Sequence, residues 1–225
     1  MLTTLQIIGQ DRSHLMECQN HHFLQPRVCQ AFKEMQYAAS KDGIDLQIAS
    51  SYRDFSRQLS IWRRKWLGEL PLYNIDGERL ETAVLPDGDK MHAILTWSAL
   101  PGASRHHWGT DLDVYDKQAI ELCGTPLQLV SSEYEQDGAC YGLNCWLDAH
   151  AADFGFNRPY AVYKGGVAAE AWHLSYRPMA EEIYLALEPG LIKSAIEVAD
   201  LPGKDTVLNK FEQVFSRYIL NKGAT

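Results

Sequence analysis

The sequence lacks long apolar stretches, an excess of basic residues and a recognisable cysteine framework. No apolar run approaches the roughly 20 residues needed to cross a bilayer, which excludes a membrane-spanning protein. Acidic residues outnumber basic ones and give a net charge of −8, which excludes binding to nucleic-acid phosphates as the main function. The five cysteines are odd in number and form no Cys-x-x-Cys pair, which predicts reduced thiols rather than structural disulfides.

The N-terminal residues 1–14 also lack the basic start and the apolar core of a signal peptide. Together with the cysteines, this predicts a cytoplasmic protein, with the periplasm as the alternative. The 225 residues are 46% hydrophobic and 22% charged, which is typical of a globular protein with a sizeable core.

Apolar periodicity divides the chain into helices and short strands. Helices are predicted over residues 26–39, 54–66, 143–154 and 206–220, and strands over residues 44–48, 93–97, 110–116, 160–164 and 171–176. Residues 68–90 are predicted to be a long loop, and residues 189–205 a linker to the last helix. Short strands mixed with helices, without regular βαβ alternation, predict an α+β fold with a small antiparallel sheet flanked by helices.

The segment "SRHHWGTDLD" at 104–113 concentrates groups that bind metals. His106 and Asp113 bracket a glycine-containing turn, so the chain can double back and bring the two side chains together. Beyond the turn an extended chain would place Asp111 and Asp113 on one side. The neighbouring His107 competes for the role of His106, but in an extended segment it would point elsewhere.

The segment "EAWH" at 170–173 offers a further donor together with a base. Glu170 and His173 are three residues apart, so a continuous strand would point them to opposite faces, and a bend before the strand is needed to bring them together. Each segment alone is more often a surface histidine pair or a group of solvated acids. Because the two segments complement each other, a catalytic zinc site with two histidines and a carboxylate is the favoured interpretation.

Four elements in order resemble a known family. "SRHHWGTDLD" fits Ser-x-His-x-x-Gly-x-x-x-Asp and "EAWH" fits Glu-x-x-His, both found in the VanY-type zinc D-alanyl-D-alanine carboxypeptidases. That family is part of a superfamily with lysostaphin-type peptidases and the hedgehog domain. "SSYRDFSRQ" and "WLDAHAADFGF" are similar to two further elements of the family. The resemblance covers about residues 26–178 and implies a hedgehog/DD-peptidase-like single domain, 1–225, with a helical extension over about 179–225.

The resemblance also implies a role for particular residues. One Zn²⁺ per chain would be held by His106, Asp113 and His173, with Glu170 as the general base and acid. Substrate contacts are implied for Arg53, Gln58 and Ser104, and a guanidinium such as Arg53 suits a terminal carboxylate or an oxyanion. The family more often has a small residue at the position of Asp111, for which an outer role around the metal is favoured over a solvent-facing one.

The implied function is hydrolysis of the C-terminal D-amino acid from peptidoglycan-type peptides, with such a peptide as the partner. The local motifs leave an L,D-carboxypeptidase and a peptidoglycan endopeptidase open. A non-haem iron oxygenase also uses two histidines and a carboxylate, but its first two ligands usually lie closer in sequence, and Glu170 would have no role. An inactive metal-binding module is the third alternative, and the presence of Glu170 disfavours it.

Overall fold

A computed structural model describes residues 2–223, so the ends of the predicted domain, Met1, Ala224 and Thr225, lie outside the described residues. The α-helices are α1 Thr4–Ile7, α2 Pro26–Lys41, α3 Phe55–Trp66, α4 Asp87–Trp97, α5 Lys117–Cys123, α6 Tyr141–His150, α7 Arg177–Leu185, α8 Pro189–Val198, α9 Lys204–Asn209 and α10 Phe211–Val214. The strands are β1 Met16–Gln19, β2 His22–Leu24, β3 Leu46–Ser50, β4 Leu72–Tyr73, β5 Arg79–Leu80, β6 Asp111–Asp116, β7 Phe156–Asn157 and β8 His173–Tyr176.

The central feature is a four-stranded antiparallel sheet in the order β3–β6–β8–β7, which confirms the predicted α+β class. Because side chains alternate along a strand, the sheet has two chemically different faces. Leu112, Val114 and Leu174 are buried on one face in a core shared with α2 and α6. The other face carries the polar side chains of the intervening positions.

A second core lies between α3, α4 and the C-terminal helices. Trp62 from α3 and Ile94 from α4 are completely buried there with Ile196, Val207 and Phe211 from the C-terminal extension. The indole of Trp62 also donates a hydrogen bond to the carbonyl of Pro202 at 3.0 Å. The C-terminal extension therefore packs against α3 and α4.

Two of the predicted strands are wrong. Residues 93–97 belong to helix α4, where Met91, Ile94 and Leu95 share a buried helical face that begins before the apolar run. Residues 160–164 form a loop in which Val162 and Tyr163 are exposed, because no neighbouring strand pairs with them among residues 2–223. An apolar pattern over only five residues does not distinguish a strand from part of a helix or from a loop.

Three connecting or terminal segments also differ from the prediction. Residues 68–90 include the hairpin of β4 and β5 and the start of α4 rather than loop alone. The predicted linker over 189–205 contains helix α8, whose Ile192 and Ile196 are buried. The final amphipathic helix is present as α9 and α10 followed by a π-helical turn, Phe215–Ile219, with a break at Lys210.

The prediction that all cysteines are reduced is wrong. Cys18 in β1 and Cys29 in α2 form a disulfide with their Cα atoms 5.5 Å apart. The hairpin of β1 and β2 folds back onto the first turns of α2 and brings the two cysteines together. Cys18 and Cys29 are eleven residues apart in the sequence, and their spacing alone does not indicate this contact. Since structural disulfides are typical of oxidising compartments, the cysteines no longer favour the cytoplasm. In residues 2–223 none of the helices has both the length and the apolar composition needed to cross a membrane.

Candidate metal centre

Donor atoms of His106, Asp113 and His173 converge at the polar face of the sheet. One ligand atom from each of these three buried side chains lies within 4.8 Å of the others. The strand register explains why two of the three donors meet, because Asp113 in β6 pairs directly with His173 in β8. Side chains of directly opposed residues in an antiparallel pair stand on the same face of the sheet.

His106 reaches the centre from a short 3₁₀ turn, Arg105–Trp108, that precedes β6. Its Nδ1 lies 2.9 Å from the carbonyl oxygen of Ser51, so Nδ1 carries the proton and donates it to that oxygen. The lone pair of Nε2 is then free and faces Asp113 Oδ2 at 3.5 Å. His107 points away, as the sequence predicts, with its Nδ1 2.6 Å from the carbonyl of Arg53.

Gly109 ends this turn in the left-handed conformation, with φ +66°. A Cβ at this position would lie 2.2 Å from Leu15 Cδ2, and left-handed backbone costs other residues about 1–2 kcal/mol. We therefore expect Gly109→Ala to lower the free energy of unfolding by about 1–2 kcal/mol, measured by urea denaturation. Gly142→Ala is the matched control, because no atom lies within 4 Å of its added Cβ. Equal stability of the two variants would contradict the assigned strain.

His173 directs its Nδ1 at the centre, whereas His106 directs its Nε2. Its Nε2 lies 3.0 Å from Asp111 Oδ2, whereas Nδ1 lies 3.2 Å from Asp113 Oδ1 and 3.3 Å from Glu170 Oε2. A carboxylate partner at Nε2 fixes the proton there and leaves the Nδ1 lone pair available to a metal. Asp111 is fully buried and belongs to the outer surroundings of the centre, since it contacts His173 on the side away from Asp113.

Four donors surround the Asp111 carboxylate. Oδ2 accepts from His173 and from Arg105 Nε at 2.6 Å, and Oδ1 accepts from Ser175 Oγ at 3.0 Å and from Thr110 Oγ1 at 2.7 Å. Burial raises the pKa of Asp111, but Arg105 and His173 outweigh it and hold that pKa well below its usual range. The side chain is therefore an anion that orients the His173 ring.

Asp111→Asn is expected to weaken zinc binding about 10- to 100-fold, because the amide removes the charge that fixes the His173 tautomer. The measurement is competition for zinc with a chromophoric chelator, on protein whose circular dichroism matches the wild type. Thr110→Val is the matched control, since it deletes one donor to Asp111 and leaves the contact with His173 in place. An unchanged zinc affinity in Asp111→Asn would remove Asp111 from the centre.

The electrostatics of the centre favour a bound cation. Burial raises the pKa of Asp113, but His106 and His173 outweigh it and keep Asp113 ionised. Burial lowers the pKa of His173, while the carboxylates of Asp111, Asp113 and Glu170 raise it above its ordinary value. Burial also lowers the pKa of His106 and keeps that imidazole neutral. The carboxylates of Asp113 and Glu170 crowd negative charge around His173 Nδ1. A divalent cation at this position would neutralise that charge, as a proton does.

The donor set fits zinc. Two imidazole nitrogens and one carboxylate oxygen are the usual protein ligands of a catalytic zinc that keeps a position for water. Asp113 Oδ1 is buried and receives no hydrogen bond within residues 2–223, so it has a lone pair available for a cation.

Glu170 lies beside this donor set, three residues before β8 begins. A turn in which the His173 amide approaches the Glu170 carbonyl at 3.4 Å precedes the strand and supplies the predicted bend. The amide of Glu170 donates to the carbonyl of Tyr160 at 2.9 Å, which fixes the backbone. Its side chain is 13% exposed, so the carboxylate remains accessible from the cavity in front of the centre.

A cavity of about 220 Å³ opens in front of the donors. His106, Asp113, Glu170 and His173 line it together with Arg53 and Ser104. Arg53 Nε and Ser104 Oγ are buried and have no hydrogen-bond partner within residues 2–223, so both are free to contact a ligand. Arg53 forms no ion pair with the neighbouring Asp54 in that part of the chain, because the Asp54 side chain caps α3.

Gln58 lies outside the cavity lining. It is fully buried in α3, and its side-chain amide donates to the carbonyl of Ala99 at 2.7 Å. Ala99 itself lines the cavity, so the observed contact of Gln58 supports the cavity wall. Its predicted direct contact with substrate stays a prediction.

Some residues around the centre carried no usable signal in the sequence. In the sequence Arg105 is only a variable position of a motif, yet its guanidinium pairs with the Asp111 carboxylate. Lys65 donates to Ser98 Oγ at 2.8 Å, and burial lowers the pKa of Lys65 to about 8, against the opposing charge of Glu170. Tyr160 lies in the segment predicted as a strand, and its ring packs edge-on against His173. Only the position of Lys65 two helical turns beyond Gln58 could have indicated that it faces the same side of α3.

Comparison with known proteins identifies the family. The family model described as VanY, D-alanyl-D-alanine carboxypeptidase, matches residues 21–179. An uncharacterized protein of Haemophilus influenzae is 33% identical over 132 residues, which are 58% of this chain and 100% of that protein. A second uncharacterized protein of the same organism is 43% identical over 103 residues, or 44% of this chain and 70% of that protein.

Solved structures share the fold. A mutant of the vancomycin resistance D,D-pentapeptidase VanY from a VanB-type cassette, in complex with Zn(II), has a TM-score of 0.53 and 24% identity over 78% of this chain and 86% of that chain. The LdcB LD-carboxypeptidase has a TM-score of 0.53 and 22% identity over 78% of this chain and 74% of its own. Since the family model spans more than half of the sequence, the chain belongs to the VanY family of D-alanyl-D-alanine carboxypeptidases.

Proposed function

We propose that the protein is a zinc-dependent D,D-carboxypeptidase that removes the C-terminal D-amino acid from peptidoglycan-type peptides. The observation that carries this proposal is the convergence of His106, Asp113 and His173, with Glu170 beside them in one cavity. The solved VanY mutant contains Zn(II), and a related VanYB structure contains D-alanine-D-alanine, both of which agree with this assignment. Membership of the VanY family supports the substrate class.

Zinc bound by these ligands supplies a Lewis acid that polarises a carbonyl and lowers the pKa of water. Glu170 is placed to take the proton from the attacking water and to deliver it to the departing amine. The contact of His173 Nε2 with Asp111 keeps Nδ1 of His173 directed at the centre during the reaction.

Arg53 and Ser104 provide the contacts with the rest of the substrate. The guanidinium of Arg53, whose Nε has no hydrogen-bond partner among residues 2–223, suits either the free C-terminal carboxylate or the oxyanion formed at the scissile carbonyl. Asp113 and Glu170 lie near enough to favour the charged form of this guanidinium, against the effect of burial, which lowers its pKa.

The proposal is tested by incubating the protein with defined muropeptides, one ending in D-Ala-D-Ala and one ending in meso-diaminopimelate-D-Ala. Release of D-alanine from the first peptide, its loss with a chelator and its return with zinc would support a D,D-carboxypeptidase. Release from the second peptide alone would show an L,D-carboxypeptidase, and cleavage of a cross-linked dimer would show an endopeptidase. Dependence on iron with a cosubstrate would indicate an oxygenase, and stoichiometric zinc without any turnover would indicate a binding module.

A further inference from the structure

The C-terminal segment, residues 204–223, reaches the cavity although it lies beyond the part of the chain that matches the family. Tyr218 and Ile219 line the same cavity as Arg53, Glu170 and His173. Tyr218 is buried, and its hydroxyl lies 2.9 Å from His92 Nδ1 on α4. Ile219 is partly buried and has no polar atom in its side chain. The segment thus supplies an apolar wall next to the candidate catalytic groups.

This wall is held by the second core. Phe211, Val214 and Phe215 precede the two lining residues and are buried against α3 and α4. The wall itself is the π-helical turn Phe215–Ile219, a conformation that is rare and is found frequently at functional sites. A tightly packed interior resists changes in side-chain position, so the second core holds Tyr218 and Ile219 in place at the cavity.

The C-terminal segment is also hydrogen-bonded to the loop at 165–167, which precedes Glu170 in the chain. Arg217 donates from Nε to the carbonyl of Gly165, and Asn221 Oδ1 accepts from the amide of Val167 at 3.4 Å. At Gly166 the two pieces of chain are so close that a Cβ would lie 2.2 Å from the Arg217 carbonyl oxygen. Val167 also lines the cavity, so the loop and the C-terminal segment form one continuous boundary.

The size of the cavity and the character of its lining indicate which side chains it accepts. A volume of about 220 Å³ is below the roughly 300–1,000 Å³ of common small-molecule pockets. Besides Ile219, the aliphatic part of the lining includes Leu95, Leu100 and Val167. A small apolar side chain suits such a space, whereas a larger one meets a wall that cannot retreat.

We propose that Ile219, supported by Tyr218, limits the C-terminal residue of the substrate to a small apolar side chain such as that of D-alanine. This inference rests on the proposed peptidase function and assigns the choice of leaving residue to the C-terminal segment. Ile219 is a specificity-determining residue that takes no part in proton transfer.

The test compares two peptides that differ only in the last residue, D-Ala-D-Ala and D-Ala-D-Leu termini. Ile219→Ala is expected to raise the ratio of kcat/KM for the D-Leu peptide to that for the D-Ala peptide at least about tenfold, since each methylene in such a pocket changes discrimination about 10- to 200-fold. Ile219→Val should move the ratio in the same direction by less. Leu208→Ala is the matched control, because Leu208 packs in the second core of the same segment and does not line the cavity.

An unchanged ratio in a folded, zinc-loaded Ile219→Ala or Ile219→Val protein overturns the assignment, and so does an equal shift in Leu208→Ala. Titration calorimetry on the Glu170→Gln background measures the same preference as two dissociation constants, without turnover. A wild-type protein that hydrolyses neither peptide contradicts the proposed function, and the assignment of Ile219 is then judged from these constants. Failure of both peptides to bind to any of these proteins overturns both proposals.

Discussion

Glu170→Gln is expected to lower kcat/KM for a D-Ala-D-Ala-ended peptide by about 10²- to 10⁴-fold while leaving one zinc per chain. The amide keeps the shape of the side chain but cannot take a proton from water or return it to the leaving amine. Zinc content is expected to persist because His106, Asp113 and His173 supply the converging donors, whereas Glu170 lies 3.3 Å from His173 Nδ1 as a neighbouring base.

The Glu170→Gln experiment measures peptide hydrolysis and metal content on the same preparation. Glu212→Gln, an identical change at an exposed carboxylate of α10, is the control and should behave as the wild type. Zinc-loaded Glu170→Gln protein with near-normal turnover would show that the base lies elsewhere. Loss of zinc together with activity would instead make Glu170 a ligand.

His173→Ala is expected to abolish both zinc binding and hydrolysis. The substitution removes the Nδ1 donor and also the ring that separates the Asp111 and Asp113 carboxylates. Because even the outer partners of ligating histidines change metal affinity about 10- to 100-fold, the loss of a ligand should exceed about 100-fold. Zinc affinity by chelator competition is the measurement, with circular dichroism as the test of folding.

His150→Ala is the matched control for this variant, since His150 is an exposed histidine at the end of α6. It should bind zinc and turn over substrate as the wild type does. Retention of stoichiometric, tightly bound zinc in a folded His173→Ala protein would contradict the proposed ligand set. Addition of free imidazole offers a further check, because partial recovery of zinc affinity would tie the defect to the missing nitrogen.

Much of the site was predictable because its chemistry is concentrated in two short segments. His106 and Asp113 are joined by a glycine turn, and Glu170 and His173 by a bend, so local spacing carried the information. The pairing of Asp113 with His173 is a long-range contact between strands, and only the complementarity of the two segments suggested it. Long, strongly periodic helices such as α2 and α3 were predictable for the same local reason.

Other features depend on tertiary packing and had no local signal. The strand prediction for residues 160–164 failed because whether a short apolar stretch pairs is decided by neighbours far away in sequence. The disulfide between Cys18 and Cys29 depends on how a hairpin folds onto a helix. The C-terminal extension was expected to be helical, which it is, but its arrival at the cavity through Ile219 follows from the path of the whole chain.

The register of β6 against β8 has a consequence for how this sequence tolerates change. Inserting or deleting one residue at the start of β6 would exchange the faces of that strand, directing Leu112 toward the cavity and Asp113 into the apolar core. Such a protein would lose its metal donors and gain a buried unpaired charge at the same time. Length variation among related chains should therefore be confined to the loops, with these two strands preserved residue for residue.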